Sequence, residues 1–508
     1  MTHGLTALFL ALDLAQVLPA PAQTDPPAVP AAAAVVPGSL DDRVRPLPSD
    51  AETGPDDKVD FMHLFAAHGL HDLTHEDYNA YGQFTFIGNE KPSFSARYTN
   101  LNGSMNSLLP TAEFSWTGTA TLFLGGRLWH GAEAYLVPEV ISEVPLSHLV
   151  GLGSTIQNAE LEKFGGAAPT LYISRVYLRQ TIDLGGARVQ QKSDPTQLAG
   201  AVDSRRLVLT AGKFSVLDFF DKNSLAGDLR RQFMNMAFLT YAAYDFAADA
   251  RGYTWGGVAE LYVDSWAIRF ARIAGPHDPN QLPVDYRLWQ FYGDQLEIEH
   301  DFTLLGQPGA VRVLGYRNEE NMASFSDAIA AFQADPSKNA NTCQSFNYGS
   351  TNQTAPDFCW ARKPNVKLGV GLNLEQYITE DVGAFFRGMY SDGQTEVYSF
   401  TSTDRSLSLG VVSKGTIWGR HADSAGVALG VGWISSEHAA YLNLGGVDGF
   451  IGDGRLNRAP ESVAELFYSW NVVKSLWLSL DYQHITNPAY NADRGPVEIF
   501  GGRLHAEF

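Results

Sequence analysis

Arginine and tyrosine alternate in one stretch of the chain whose chemistry suits polyhydroxy compounds. Arg175, Tyr177 and Arg179 are separated by single apolar residues. Successive side chains of a strand point to opposite faces, so these three share one face. An arginine fork can grip adjacent hydroxyl groups, and an aromatic ring can cover the apolar C–H face of a sugar. The pattern indicates a wall suited to neutral polyols, and an ion-pair network that only braces a sheet is the alternative.

A second stretch supplies further polar groups for such a wall. The leucines within residues 122–128 share one face, so Arg127 lies on the other. We predict a three-residue hairpin loop at residues 129–131 with Gly131 in the left-handed conformation, which places Glu133 opposite Arg127. Opposite charges facing each other across two strands contribute about 0.2–1 kcal/mol. The remaining candidates for the polar face are Tyr135, Glu139 and Glu260.

Apolar and polar residues alternate along most of the chain from Tyr78 to Phe508, with clear examples at 295–301, 367–376 and 476–483. This period of two predicts strands with one apolar face. No apolar run of about 18 residues follows the N-terminus, which argues against an α-helical membrane protein. The alternation alone fits either a soluble all-β protein with the apolar face inside or a membrane barrel with that face outside.

The connections between the strands favour the membrane barrel. Short links alternate with long ones, as a barrel with short turns at one end and long loops at the other requires. The tight links are 129–131, 263–264, 304–309 and 379–381, and the long ones are 275–292 and 318–364. We therefore predict an all-β protein, a transmembrane antiparallel β-barrel of about 16 strands over residues 78–508. Residues 324–334 predict a short helix inside one long loop.

The last strand carries a second indication of an outer-membrane barrel. Phe500, Gly502, Leu504, Ala506 and Phe508 share one face. A final strand that ends in a lipid-facing phenylalanine resembles the assembly signal of bacterial outer-membrane barrels. We expect Phe508 to be recognised by the barrel assembly machinery, and outer-membrane lipids to surround the finished barrel.

The N-terminal part predicts export. Residues 4–18 are apolar and an A-x-A-like site follows at 20–22, so residues 1–22 predict a secretory signal peptide, with a short buried helix as the alternative. Residues 23–77 are rich in Pro and Ala and then acidic, which predicts a largely disordered segment. His71 and His75 are spaced to bind a metal on a helix, but an exposed polar segment is the favoured interpretation.

Cysteine content and net charge indicate the compartment and exclude some classes of function. Cys343 and Cys359 lie in one polar stretch and predict a disulfide formed in an oxidising compartment, with two free thiols as the alternative. The net charge of −20 argues against nucleic-acid binding, which needs a basic footprint. The residues 445–449 lack the spacing of a dinucleotide-binding loop, and we expect no cofactor.

Several stretches together resemble the carbohydrate-selective porin family of the OprB type. They are residues 126–140, 169–182, 209–225, 231–240, 246–262, 445–455 and 481–508. The resemblance implies a barrel of about 16 strands with a constricted channel and passive, substrate-biased uptake of sugars. By position within these stretches it implies a lumen lining that includes Arg127, Glu133, Glu139, Arg175, Arg179 and Arg251.

Three other functions compete with a sugar-biased porin. A general diffusion pore has the same strand pattern. A structural barrel would have a blocked lumen, whereas glycines such as Gly369, Gly371, Gly430 and Gly432 predict room inside. An outer-membrane enzyme would need an activated nucleophile with a histidine base, and no G-x-S-x-G or H-E-x-x-H motif occurs. We therefore expect no enzyme activity, and the sequence leaves monomer and homo-oligomer open.

Overall fold

A computed structural model of the chain describes residues 60–163, 165–337 and 354–508. The predicted signal peptide, residues 23–59 and Cys343 lie outside the described residues. Cys359 is disulfide-bonded. Among the described residues no helix is long and apolar enough to cross a membrane.

Alternating side chains dictate the main architecture. In the described part of the chain sixteen antiparallel strands form one closed barrel, in which each strand pairs with its neighbours along the chain and β1 pairs with β18. The strands of the barrel are β1 (Tyr78–Lys91), β2 (Glu113–Trp129), β3 (Ala132–Val144), β4 (Thr170–Asp183), β7 (Arg205–Ser215), β8 (Tyr253–Val263), β9 (Trp266–Ile273), β10 (Tyr292–Leu304), β11 (Gln307–Met322), β12 (Lys363–Tyr377), β13 (Val382–Ser391), β14 (Arg405–Lys414), β15 (Ser424–Trp433), β16 (Glu461–Val473), β17 (Leu476–Thr486) and β18 (Val497–Glu507). A separate hairpin consists of β5 (Arg188–Gln191) and β6 (Gly200–Asp203). The predicted barrel of about 16 strands is confirmed.

The two ends of the barrel differ, as predicted. At the short-turn end the connections include residues 130–131, 264–265, 305–306, 378–381 and 474–475. The predicted turn after Trp129 has two residues rather than three, and Gly131 is left-handed at φ +74°. At the long-loop end the connections are residues 92–112, 145–169, 216–252, 274–291, 323–362, 392–404, 434–460 and 487–496.

Outward-facing positions are apolar and exposed, and inward-facing ones are polar and buried. On β12, Leu368 and Val370 are exposed, whereas Lys367 and Asn373 are buried. A strand whose alternate residues contact lipid needs apolar side chains only on that face. The alternation of apolar outward and polar inward residues is the one that the period of two predicts.

The helices are short and lie before β1 or in the connections between strands. They are α1 (Phe61–Ala67), α2 (Met236–Leu239), α3 (Phe325–Ala334) and α4 (Ser436–Asn443), with 3-10 turns at Leu101–Gly103, Leu146–Leu149, Ala159–Lys163, Val216–Asp218, Cys359–Ala361, Gly415–Trp418 and Pro488–Tyr490. The predicted helix at 324–334 is confirmed as α3, whose first turn is capped by the Ser324 hydroxyl accepting from Asp327 N at 3.1 Å.

The segment 23–77 differs from the expectation in its described part. Residues 61–67 form α1, and Met62 is buried against Tyr81, Phe123 and Val137, which point into the barrel. This apolar contact stabilises residues that composition alone predicts to be disordered. The helix ends before His71, whose Nε2 lies 2.8 Å from Glu76 Oε1, so His71 and His75 do not share a helix face.

One histidine links the long loops to each other. His438 of α4 is buried, with Nδ1 3.0 Å from Asp404 and Nε2 3.1 Å from Asp448. Its ring stacks on Phe325 with centroids 4.4 Å apart. Burial alone would lower the pKa of His438, but the two carboxylates outweigh it and raise the pKa to about 9.

Candidate functional site

The loop of residues 216–252, named L3 from here on, folds into the barrel and fills one side of it. Its backbone N–H groups donate to carboxylates on the opposite wall: Asp221 N to Glu297 at 2.8 Å, Ser224 N to Glu375 at 2.7 Å and Met234 N to Glu465 at 2.6 Å. These three glutamates are at most 1% exposed. L3 therefore closes the lumen along β10 to β17.

The inward glycines contribute to this packing rather than to an open channel. A Cβ on Gly371 would lie 2.8 Å from the Tyr241 ring of L3, and a Cβ on Gly430 would lie 3.1 Å from Ala237. Gly369 and Gly432 likewise face Tyr316 and Ser154. The glycines point inward as predicted, but the space they leave is occupied by neighbouring side chains.

Solvent reaches the side of the lumen that L3 does not fill, where charged side chains are partly exposed. The exposed fraction is 15% for the side chain of Arg175, 24% for Asp218 and 20% for Arg230. On the filled side it is 2% or less for Arg312, Glu375 and Arg387. The open part of the lumen therefore lies between L3 and the wall of β2, β3, β4, β7 and β8.

Glu139 is the centre of the charge cluster on that wall. Its carboxylate lies 2.7 Å from Lys163 Nζ and 3.9 Å from Arg230 Nη2. Glu160 completes the cluster at 3.4 Å from Lys163 and 2.9 Å from Arg230. Burial alone would lower the pKa of Lys163, but Glu139 and Glu160 raise it above its usual value, so the amine stays charged. The cluster joins a strand, the loop after β3 and L3.

Two tyrosines and Arg251 stand beside this cluster. The hydroxyls of Tyr172 and Tyr253 both donate to Glu139, the latter at 3.3 Å. The Arg251 guanidinium lies 4.4 Å from the centre of the Tyr172 ring, and its Nε donates to the Lys163 carbonyl at 2.9 Å. Within the described ranges Arg251 forms no ion pair. Its terminal nitrogens remain available as donors.

Arg175 faces the same space one step further along the wall. Its Nε and Nη2 donate to Asp218 of L3 at 2.7 and 2.6 Å, a bidentate pair. The guanidinium lies 5.3 Å from the Tyr253 ring centre. Lys213 lies 3.6 Å from Asp249 and 5.7 Å from the same ring. Cations, carboxylates and rings thus alternate on one surface, which we call the charged wall: Glu139, Glu160, Lys163, Tyr172, Arg175, Lys213, Asp218, Arg230, Arg251 and Tyr253.

The other predicted candidates lie nearer the short-turn end. Glu133 pairs with Arg127 in the strand register, as predicted, at 3.7 Å, and lies 3.9 Å from Arg179. Tyr135 donates to Glu133 at 2.8 Å, and its ring lies 5.1 Å from that of Tyr177. Arg127 and Arg179 donate to backbone carbonyls of residues 196–199. This group is therefore separate from the charged wall.

Glu260 belongs to neither group. It lies 3.1 Å from Arg269, which also contacts Glu297 and Glu299 at 3.1 and 2.9 Å. These side chains are buried, and the row continues through Arg312 to Glu375. Such a row braces adjacent strands, because each charge is balanced by the next.

Five members of the charged wall carry a sequence signal that pattern reasoning did not use. Lys213, Asp218 and Arg230 lie within or beside the stretches 209–225 and 231–240, and Tyr172 and Tyr253 lie in 169–182 and 246–262. Lys163 and Glu160 come from a loop outside these stretches. Their position depends on how two loops fold into the lumen, and strand periodicity carries no information about that.

The chain end closes the barrel. Phe508 N donates to Gly82 O at 2.9 Å, and Gly82 N donates back at 2.6 Å. The Phe508 ring covers the outer side of Gly82, where a Cβ would lie 2.1 Å from it. A side chain on residue 82 would therefore displace the Phe508 ring.

An antiparallel barrel with an apolar outer face, a constricting inner loop and a partly exposed charged wall defines a membrane channel protein. Residues 119–508 match the model of the family described as carbohydrate-selective porin, OprB family. The chain belongs to this family. It is an outer-membrane porin of a Gram-negative bacterium for the passive, substrate-biased diffusion of carbohydrates.

The fold is shared with a solved outer-membrane channel, and two further solved structures align with lower scores. The high-pH structure of Pseudomonas putida OprB aligns with a TM-score of 0.58 at 14% identity, over 85% of this chain and 94% of that chain. For the low-pH structure the TM-score is 0.45 at 12% identity, over 85% and 93%. For the outer membrane channel DcaP of Acinetobacter baumannii it is 0.42 at 11% identity, over 85% and 97%. No curated protein matches the chain by sequence.

Proposed function

We propose that the charged wall is where passing sugars bind, with Arg251 and Tyr172 as the main contacts. The observation that carries this proposal is the arginine whose terminal nitrogens have no ion-pair partner beside a tyrosine ring. Two parallel N–H groups match adjacent sugar hydroxyls, and the ring suits the apolar face of a pyranose. Arg175 and Asp218, which are partly exposed, offer a further donor and acceptor close by, whereas Glu139 is buried beneath them and holds the tyrosines in place.

Near-balanced charge supports neutral solutes. Lys163, Arg175, Lys213 and Arg230 each have a carboxylate partner, so the wall presents strong hydrogen-bonding groups whose charges are balanced except for that of Arg251. A neutral polyol can exchange hydrogen bonds with such groups without paying the desolvation cost of an ion. In this proposal the chain acts as a channel only and catalyses no reaction.

Glucose titration of single-channel conductance tests the proposal. The pure protein is inserted into planar bilayers, and conductance is recorded while glucose is raised. We expect saturable block, because glucose occupies the wall and hinders ion flow. Conductance that follows only the bulk viscosity of the solution would make the chain a general diffusion pore, the second candidate.

Two further expectations belong to the same proposal. The paired backbone of Phe508 and Gly82 supports a role of the last residue in closing the barrel, and we propose that the assembly machinery reads this residue. A homo-oligomer is compatible with the apolar outer face, and cross-linking in native membranes tests it.

A further inference from the structure

One connection at the short-turn end is far longer than its neighbours. Residues 184–204 join β4 to β7, whereas the turns at 264–265, 305–306 and 474–475 have two residues each. Part of this connection is the hairpin of β5 and β6. Residues 192–200, which we call the mouth strap, fold back against the inner face of the barrel.

Inward-facing side chains of four strands hold the strap by its backbone. Asn79 donates to the carbonyls of Asp194 and Gln197 at 3.0 and 3.1 Å. Arg179 donates to Thr196 O at 2.8 Å, and Arg127 to Ala199 O at 3.3 Å. The Tyr135 hydroxyl accepts from Leu198 N at 3.1 Å, and the Tyr81 hydroxyl lies 2.6 Å from Ser193 Oγ.

Glu76 fastens the strap from the other side. Its carboxylate accepts from Ala199 N at 2.7 Å and from Ser193 Oγ at 2.6 Å, and its own N–H donates to Ala199 O at 3.0 Å. The Glu76 side chain is fully buried. Leu198 and Ala199 are exposed by 1% and 0%, so the end of the strap next to β6 is buried like a core segment, whereas residues 192–197 are partly or fully exposed.

These contacts change the role of residues that sequence reasoning places in sugar binding. Arg127 and Arg179 are more than 3.5 Å from Glu133 but within hydrogen-bonding distance of strap carbonyls. A guanidinium that donates to fixed backbone carbonyls orients that backbone. The side chains of Arg127 and Arg179 remain 20% and 18% exposed, so a solute at this end of the lumen meets the strap together with these two arginines.

We propose that the mouth strap is a second constriction of the channel, placed at the short-turn mouth and latched by Glu76, Arg127 and Arg179. Solutes then pass two narrow places in series, first the charged wall beside L3 and then the strap. The strap limits how fast any solute or ion leaves, whereas the charged wall sets which solute binds. The inference rests on the chain being a diffusion channel and not on the choice of solute.

Strap removal tests the proposal. Residues 185–204 are replaced by Asn-Gly, because Leu184 and Arg205 already pair across the connection and Asn-Gly suits a two-residue hairpin turn. Removing one of two comparable resistances in series raises single-channel conductance about twofold. The matched control is Arg188→Ala, which alters an exposed ion-paired residue of the same connection and leaves conductance unchanged.

A point variant keeps the test decisive if the shortened chain does not fold. Glu76→Ala removes the acceptor for Ala199 and Ser193 without shortening the chain, and we expect larger conductance with frequent transitions as the strap detaches. Unchanged, quiet conductance in a folded shortened chain, or in Glu76→Ala when only that variant folds, would overturn the proposal. Glucose block of the wild type is a separate readout, so the sugar site and the strap can fail independently.

Discussion

Arg251→Met gives the sharpest test of the proposed sugar site. The substitution keeps an unbranched side chain over the Tyr172 ring but removes the guanidinium whose terminal nitrogens lack an ion-pair partner. A hydrogen bond from a charged donor contributes about 1.5–3 kcal/mol. Because Arg251 is only partly buried and water competes, we use the lower value, about 1.5 kcal/mol, which corresponds to roughly a tenfold weaker affinity.

The assay is glucose titration of single-channel conductance in wild type and variant. We expect the half-blocking glucose concentration to rise about tenfold in Arg251→Met while conductance without sugar changes little. Arg272→Met is the matched control, since Arg272 lies on the outer face and pairs with Asp294 at 2.6 Å. A half-blocking concentration in Arg251→Met equal to that of the wild type would refute the assignment.

Three further predictions concern the scaffold. Arg269→Met leaves three buried carboxylates without their shared partner, which costs about 3–5 kcal/mol and lowers the thermal unfolding temperature; an unchanged temperature would contradict the buried row. His438 has a folded pKa of about 9, above the ordinary value of about 6.5. Its imidazolium therefore stabilises the loops by about 3 kcal/mol below pH 6.5, and this contribution disappears as pH rises through 9. His438→Phe should lose that pH dependence of unfolding, and retention of it would point to other groups. Phe508→Ala should lower the yield of heat-modifiable barrel in the outer membrane, while Phe500→Ala on the same face should not; equal yields would remove the special role of the last residue.

The strands could be predicted from the sequence because lipid and water select opposite side chains at alternate positions. The segment 367–372 shows this directly, since Leu368, Val370 and Leu372 are exposed and apolar and alternate with residues that are buried or partly buried. The local partner of Arg127 was also predictable, because a hairpin turn fixes the register of its two strands. The predicted length of that turn was too long by one residue.

The different roles of the individual charged residues could not be predicted in the same way. Parity places Arg179 on the inner face, and the family resemblance implies that Arg251 lines the lumen, but neither gives the height along the barrel or the segments that fold against these residues. Arg179 holds the strap, Glu260 is part of a buried row, and Arg251 lies partly exposed over the Tyr172 ring. These differences come from L3 and the 184–204 connection, whose paths depend on long-range contacts rather than on local period.

Liposome swelling is the most direct test of the central claim that the charged wall favours carbohydrates. Proteoliposomes are placed in isotonic glucose or in an uncharged polar solute of the same size, and the two swelling rates are compared for wild type and Arg251→Met. We predict faster swelling in glucose for the wild type and a ratio closer to one in the variant. Equal rates for the two solutes in the wild type would contradict the claim.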